Sequence, residues 1–519
     1  MNGTRAALLL VLAACGRTDF GGPGVLAPSA SAPAADAPPP AAPAPADGGV
    51  VPIVVTADKG DGKDATASLG VPFPPGLVKD ENALELVGPE NRSLPRDAQV
   101  LARWPVDVSL RSVLVAFKVT LGPAASTVVR LKLHGRGTKD KLAAAPDGPF
   151  TATLPAQWYA DSLSLGPQVP ASRDTRFPRY EAQIEEGLAN MKPPYEAHGI
   201  DCDHTTNHRT YYDAPHAFFQ RFARNPTPAT YRRARAESTL YRGKELRFLE
   251  GRAMAVQVCE KKDWTLAKPL DWSVMRRMLG QGMLDDWLLT GDPAAREAIV
   301  AMGEAFRRDL RALTTGWHEN TLRVTERNMA WPLMGLAAYY AVDPRAEVKQ
   351  AMVSVVDDAI AWQAQGKSGA FEHDIARPDP DECEKGPRGG SPFMTSLLVD
   401  ALMDYVALTK DPRIADVVRK VAGWYEKDAV TSDGRAFRYL WGCEGDPMDD
   451  SGVADLNLLI VHVFGAAFAL TGDRRWLAFG DKIADFGLDA MATSNPKQWN
   501  QAARSFGRYM GYRAKGLPP

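Results

Sequence analysis

Apolar positions recur in two different rhythms along the chain, and the change comes near Trp158. Between Val51 and about Gln157 they fall in short β-branched runs: VVPIVV, AQVLARW, SVLVAFKVTL and STVVRLKL. Gly and Pro clusters such as GVPFPPG (70–76) separate the runs. Short β-branched stretches predict strands, and the Gly/Pro breaks predict turns. Residues 51–157 are therefore expected to form a small β barrel or sandwich. Nothing in this stretch has the residues of a catalytic site.

From 158 to 519 the rhythm is helical, and it repeats. A long apolar helix ends in a tight turn and an amphipathic helix follows. The turns are ARNPTPA, LTGDPAA, AVDPRAE, LTKDPRI and LTGDRRW, with Asn225, Asp292, Asp343, Asp411 and Asp473 spaced 51 to 68 residues apart. Asp before Pro suits a helix start, because the carboxylate accepts from free N–H groups and Pro fits the first helical position. The two helices of a pair differ. Ile414, Val417, Val418, Val421, Ala422 and Tyr425 make one apolar stripe, as in an outer helix. The segments 393–408 and 456–470 are apolar nearly all round, as in an inner helix buried on both sides. A sixth inner candidate is 499–512, and 180–191 supplies the outer partner that closes a ring. Six inner and six outer helices make an (α/α)6 toroid; an open helical solenoid is the alternative with the same repeat.

Composition narrows the setting. Of the 519 residues 45% are hydrophobic and 24% charged, the balance of an ordinary globular protein. The net charge of −2 gives no global field for nucleic acid. Arg5, a short apolar run and Leu12-Ala13-Ala14-Cys15-Gly16 read as a lipoprotein signal over residues 1–14, with Cys15 lipidated. Gly16 after the cysteine points to the outer membrane. Residues 15–50 are rich in Ala and Pro and read as an extended tether. Export leaves Cys202, Cys259, Cys383 and Cys443, an even number that suggests disulfides. Their positions in neighbouring loops suggest Cys202–Cys259 and Cys383–Cys443, against four buried thiols as the alternative.

One end of the ring has short turns and the other has the long loops 251–272, 316–328, 366–391 and 428–454. Binding usually resides on long loops held by a rigid scaffold. The segments entering the inner helices converge there. The densest is DCDHTTNHRTYYDAPH (201–216). His204, His208 and His216 are spaced i, i+4, i+12, which leaves a divalent cation open; no other cofactor is expected. Proton transfer suits His208 and Tyr211, with Glu326, Arg327 and Arg504 completing the candidate catalytic set. His204, Tyr212, Asn328, Trp331, His373, Asp450, Asn457 and Trp499 are candidates for substrate binding, since sugars need aromatic faces and polar forks. Each has a plainer reading: rim packing for the tyrosines, a helix-start ion pair for Glu326-Arg327, a cap for Asp450, core for Trp331 and Trp499.

The β region also carries SLGVPFPPGLVKDENALELV (68–87) and AQVLARWPVDVSLRSVLVAF (98–117). This resembles the N-terminal RIFT-barrel domain of the rhamnogalacturonan exolyase-like family. Gly70-Val71-Pro72, Trp104-Pro105, Ser109, Arg111 and the apolar strand from Val113 to Phe117 match it. Val106-Asp107-Val108 replaces the family's Asp-Gly, and Ser112 its second Trp. The family continues into an α/α toroid, so the resemblance implies a small RIFT-like β-barrel followed by an (α/α)6 toroid. The family's central β-sandwich looks absent here, because only about twenty residues separate the two parts. The resemblance implies an exported, polysaccharide-active protein. It supplies no catalytic motif.

Together these readings favour a lipid-anchored enzyme of the cell envelope that acts on a polysaccharide or oligosaccharide. The first expectation is a lyase cleaving a uronate-containing glycan by β-elimination. The alternatives are a glycoside hydrolase with paired carboxylates such as Glu326 and Asp450, and a non-catalytic glycan-binding lipoprotein.

Overall fold

The structure is a computed structural model. It describes residues 49–515 apart from 60–61, 174–175, 192–209, 250–251, 261–262, 267–276, 319–324, 367, 374, 376–387 and 445–449. The signal, Cys15 and the tether up to residue 48 lie outside the described residues, and Val50 at its end already belongs to the first strand.

The β region holds β1 (Val50–Ala57), β2 (Gly62–Pro72), β3 (Glu85–Val87), β4 (Ser93–Leu94), β5 (Arg96–Arg103), β6 (Leu110–Leu121), β7 (Ser126–Lys132) and β8 (Phe150–Thr153). They form two antiparallel sheets, ordered β4-β3-β7-β1-β8 and β2-β6-β5. The chain thus has the expected N-terminal β region, and among the described residues no strand ladder joins its two sheets. Alternation sets the inner face of β1, where Val51, Ile53, Val55 and Ala57 are buried. The stretch of β6 from Leu110 to Phe117 is buried throughout. A strand covered on one face only would alternate, so β6 is covered on both.

The second cover is the helical part. Its inner helices are α3 (Ala214–Arg224), α5 (Gln281–Thr290), α7 (Glu326–Val342), α9 (Pro392–Thr409), the interrupted pair α11 (Asn457–Ile460) and α12 (His462–Thr471), and α14 (Pro496–Lys515). Each touches the next, and α14 returns to α3, so the ring is closed. The outer helices are α2 (Pro178–Asn190), α4 (Pro228–Leu240), α6 (Pro293–His318), α8 (Ala346–Gln365), α10 (Ile414–Trp424) and α13 (Arg475–Ala490). The predicted outer partner near Tyr180 is α2, which packs on α14. A short helix, α1 (Ala156–Ser162), links the β region to the ring.

Three of the five predicted caps hold, at Asp292, Asp411 and Asp473. Asn225 and Asp343 do not cap, and Asp343 instead ends α7 while Arg345 precedes α8 without a side-chain cap. Asp292 accepts from the Ala294 N–H at 3.0 Å and Asp411 from the Arg413 N–H at 3.0 Å. Gly291, Lys410 and Gly472 end their helices in the left-handed region. In the first turn, however, Thr227 rather than Asn225 caps the outer helix, in a reciprocal pair with Thr230. The loop expected at 251–272 instead carries strands: β9 (Leu246–Leu249), β10 (Arg252–Glu260) and β11 (Asp263–Leu266) form an antiparallel meander.

The β region and ring share one continuous hydrophobic core. The Ser112 hydroxyl donates to the Leu288 carbonyl at 2.5 Å, and the Trp287 indole N–H to the Leu101 carbonyl at 3.0 Å. Gly70 lies so close to α5 that a Cβ on it would fall 2.0 Å from the Leu288 oxygen. The matched Gly-Val-Pro therefore has a packing reason. The β region covers the short-turn end of the ring and leaves the loop end for the site.

Candidate functional site

At the loop end, the chain enters α3 through two consecutive left-handed residues, Tyr212 (φ 66°) and Asp213 (φ 60°). Such strain in residues other than glycine needs support from its surroundings. Asp213 provides it: its carboxylate accepts from the His216 N–H at 3.2 Å and the Gly282 N–H at 3.1 Å. Just before it, the Thr210 hydroxyl donates to Glu245 at 2.6 Å. The two tyrosines are thus held from both sides.

Tyr211 stands among cations. Arg327 Nη1 donates to its hydroxyl at 3.4 Å. The Arg277 guanidinium lies 5.5 Å and Lys497 Nζ 6.0 Å from its ring centre. Asn500 Nδ2 donates to its carbonyl at 3.0 Å. Tyr212 packs beside it, ring centres 4.6 Å apart, and is buried. Burial first and the neighbouring Tyr211 second push the Tyr212 pKa up, so its hydroxyl stays protonated. Arg327 is the reverse case. Burial opposes its charge, but Tyr211, Tyr212 and Tyr439 outweigh burial and hold its pKa above the ordinary value. Tyr439 itself stacks on Phe393 with ring centres 5.1 Å apart.

Glu326, next to Arg327 at the start of α7, is fully buried. Its Oε1 accepts from the Ser391 N–H at 3.0 Å and the Thr395 hydroxyl at 3.1 Å. Its Oε2 lies 3.5 Å from His373 Nδ1. It ties α7 to α9 and faces His373, which pairs through its backbone with Gly389. Asn328 is buried, its N–H bonded to the Thr325 carbonyl.

Several candidates sit elsewhere. Arg504 is fully buried in the ring, where its Nη2 donates to Asp400 at 2.9 Å and to Gln281, and its guanidinium covers Trp331 at 4.9 Å. Both side chains are core. Trp499 is core too: its indole N–H donates to the Ile184 carbonyl at 3.2 Å and its ring packs on Phe218. Asn457 is buried and donates to the Arg435 and Ile483 carbonyls. Asp450 is exposed and accepts from the Ser432 N–H and hydroxyl. These corrections share a cause. A polar or aromatic residue at the start of an inner helix reads the same in sequence whether it faces the opening or the neighbouring helix.

His204, His208, Cys202 and Cys383, and the side chain of Cys259, lie outside the described residues. Cys443 is disulfide-bonded and buried against Ile375 and Leu440. His216 is buried with its Nδ1 2.6 Å from Asp285 Oδ2. Among the described residues no three metal-ligating side chains cluster.

Beneath the mouth the ring is filled by charge that the sequence reading did not assemble. Asp400 on α9 joins Arg504 at 2.9 Å and Arg508 at 2.7 Å, and Arg508 also reaches Asp404 at 2.8 Å. Burial opposes the Asp400 charge, but Arg508 and Arg504 outweigh it and hold the pKa below the ordinary carboxylate value. Burial lowers the nearby His462 to about 4. The signal was present: Asp400 and Asp404, and Arg504 and Arg508, are i, i+4 pairs on two facing inner helices.

No family model and no curated protein matches the chain. Among solved structures it is similar to unsaturated glucuronyl hydrolase from Bacillus sp. GL1, with 15% identity and a TM-score of 0.34 over 46% of this chain and 62% of that one. It is also similar to cellobiose 2-epimerase from Spirochaeta thermophila, with 13% identity and a TM-score of 0.41 over 60% and 86% of the two chains. A glycosyl hydrolase family 88 protein from Bacteroides vulgatus has 8% identity and a TM-score of 0.42 over 67% of this chain and 100% of that one. The chain thus spans 62% of the length of the first of these structures.

Proposed function

We propose that this protein is a polysaccharide lyase that cleaves a uronate-containing glycan by β-elimination at the loop end of the ring. The observation that supports this reading is the Tyr211 hydroxyl set against Arg327, with Arg277 and Lys497 beside the same ring. Elimination needs a base for the C5 proton, a cation on the uronate carboxylate, and an acid for the departing O4. As the base, Tyr211 takes the C5 proton while Arg327 neutralises the carboxylate. The C5 electron pair becomes the C4–C5 double bond, the C4–O4 bond breaks, and the tyrosine returns its proton to O4. Glu326 is engaged inside the scaffold and Asp450 is held by Ser432, which weighs against the paired-carboxylate hydrolase.

The test is incubation of the purified protein with a panel of acidic polysaccharides, following both ultraviolet absorbance of unsaturated product and new reducing ends. Both signals rising together is the expected result. Reducing ends without absorbance would make it a hydrolase. Neither signal, with measurable glycan binding, would make it a non-catalytic binder. The reading extends to location: Leu12 to Gly16 supports a lipid anchor on Cys15 in the outer membrane. Cys15→Ala should then move the protein from the membrane to the soluble fraction.

A further inference from the structure

Where β6 meets the ring, a cavity of about 50 Å³ lies between the β region and the inner helices. It is separate from the tyrosine cluster. Arg111, His216, Gln281, Asp285, Asp404 and Arg508 line it. Their hydrogen bonds divide unevenly. Asp404 accepts from Arg508 at 2.8 Å and from Gln281 at 2.6 Å, and Asp285 pairs with His216 at 2.6 Å. By contrast Arg111 Nε and Nη1, Arg508 Nε and His216 Nε2 are buried without a partner among the described residues. These three residues are 7%, 3% and 1% exposed. Among the described residues, the buried side-chain atoms of the recess without a partner are all nitrogens.

The surroundings look built around those nitrogens. Arg111 Nη2 is fixed by the Ser164 carbonyl at 2.7 Å, and Trp104 covers the guanidinium face at 4.7 Å. Gly166, at φ +83°, keeps space beside Arg508: a Cβ there would come 3.3 Å from the guanidinium carbon. Ala407 lines the recess and is exposed, which gives a small solute a way in. A buried N–H without an acceptor costs about 1–3 kcal/mol, and more when charged. A water would accept from one or two of these groups and bring two protons of its own. An anion brings acceptors only. The charge balance agrees. Burial pushes Asp285 well above the ordinary carboxylate value, toward its neutral form, whereas Arg111, lowered by burial to about 10, remains cationic at neutral pH.

We propose that this recess binds one halide-sized inorganic anion, held by Arg111 and Arg508 with His216 beside it, and that the anion ties β6 to the ring. Arg111 comes from β6, His216 from α3 and Arg508 from α14, so one ion joins three elements.

The test is thermal unfolding of the full chain in chloride, titrated against gluconate at constant ionic strength. Gluconate is too large for the recess. A saturable rise of roughly 1–3 °C in chloride is expected, absent from Arg111→Gln. Equal melting in the two salts would overturn the proposal. Crystals of the unaltered protein in bromide give an independent reading that does not depend on how well Arg111→Gln folds. An anomalous peak within hydrogen-bonding distance of Arg111 and Arg508 supports the site. Density without anomalous signal there means water only, and overturns it.

Discussion

The Arg327 guanidinium donates to the Tyr211 hydroxyl across 3.4 Å, joining the start of α7 to the segment that leads into α3. These two segments lie more than a hundred residues apart in sequence. The contact pairs a proton-transfer group with a cation, the two roles that elimination next to a carboxylate requires.

Tyr211→Phe removes the hydroxyl and keeps the ring between Tyr212 and the cations. Turnover should fall about 10²- to 10⁴-fold, with the melting temperature unchanged. Initial rates on the best polysaccharide of the panel, measured beside a thermal scan, check this. A variant that retains normal turnover would remove Tyr211 from the mechanism.

Arg327→Gln should lower kcat/KM by about 10²- to 10³-fold, and Arg327→Lys should restore part of it. The side chain is planar and forked, so Lys replaces the charge but not the two-point geometry. Steady-state kinetics on a uronate polymer and on its methyl ester, which keeps an acidic C5–H without the charge, separate the roles. The penalty should shrink on the ester if Arg327 neutralises the carboxylate.

Asp400 is the shared partner of Arg504 and Arg508 in the centre of the ring. Asp400→Asn leaves two buried guanidinium groups short of their counter-charge. The expected loss is about 3–5 kcal/mol of stability, read as a lower urea midpoint. Asp400→Asn combined with Arg504→Met should lose less than Asp400→Asn alone.

His462 carries a pH dependence with a definite sign. Its folded pKa of about 4 lies below the ordinary 6.5 because burial disfavours the charged ring. Between those values the unfolded chain binds the proton and the folded chain does not. The stability from neutral His462 is therefore complete above about pH 6.5 and declines as the pH falls toward 4, by on the order of 3 kcal/mol. His216, lowered well below its ordinary value by burial, acts in the same direction, and Asp285, raised by burial, acts against both. The difference in acid sensitivity between the unaltered protein and His462→Asn, from urea midpoints across this range, isolates the His462 share. No difference would show that His462 does not titrate in this window.

Gly70→Ala should destabilise by about 1–3 kcal/mol or more, since its Cβ would fall 2.0 Å from the Leu288 oxygen. Gly243→Ala, with nothing within 4 Å of its Cβ, is the control. Similar urea midpoints for the two variants would count against the tight contact between β2 and α5.

The ring was legible because its signals are local and repeated. Asp292 and Asp411 cap where a carboxylate before a helix should cap, and the stripe from Ile414 to Val421 is buried as its spacing demands. Thr227 shows the limit of that reading: Asn225 and Thr227 both suit a cap, and only the backbone path decides between them. The site was legible as a neighbourhood and less so as a set of roles. Tyr211 and Arg327 lie together, whereas Arg504 and Trp499 face the neighbouring helices. Side-chain direction at a helix start depends on the neighbouring helix, which local sequence does not contain. The charged centre around Asp400 was passed over because the helix around it reads as uniformly apolar.

The seam between β6 and α5 has a consequence for how this chain can be cut and recombined. A boundary drawn by composition falls near residue 157, yet Ser112 is bonded to Leu288 and Leu101 to Trp287 across it. The β half is in effect the floor of the ring. The helices expressed alone would expose the apolar ends of α5 and leave the bore open from below. Neither half should serve as an interchangeable module, and a protease nick at the junction should leave the two fragments migrating together until denaturant separates them.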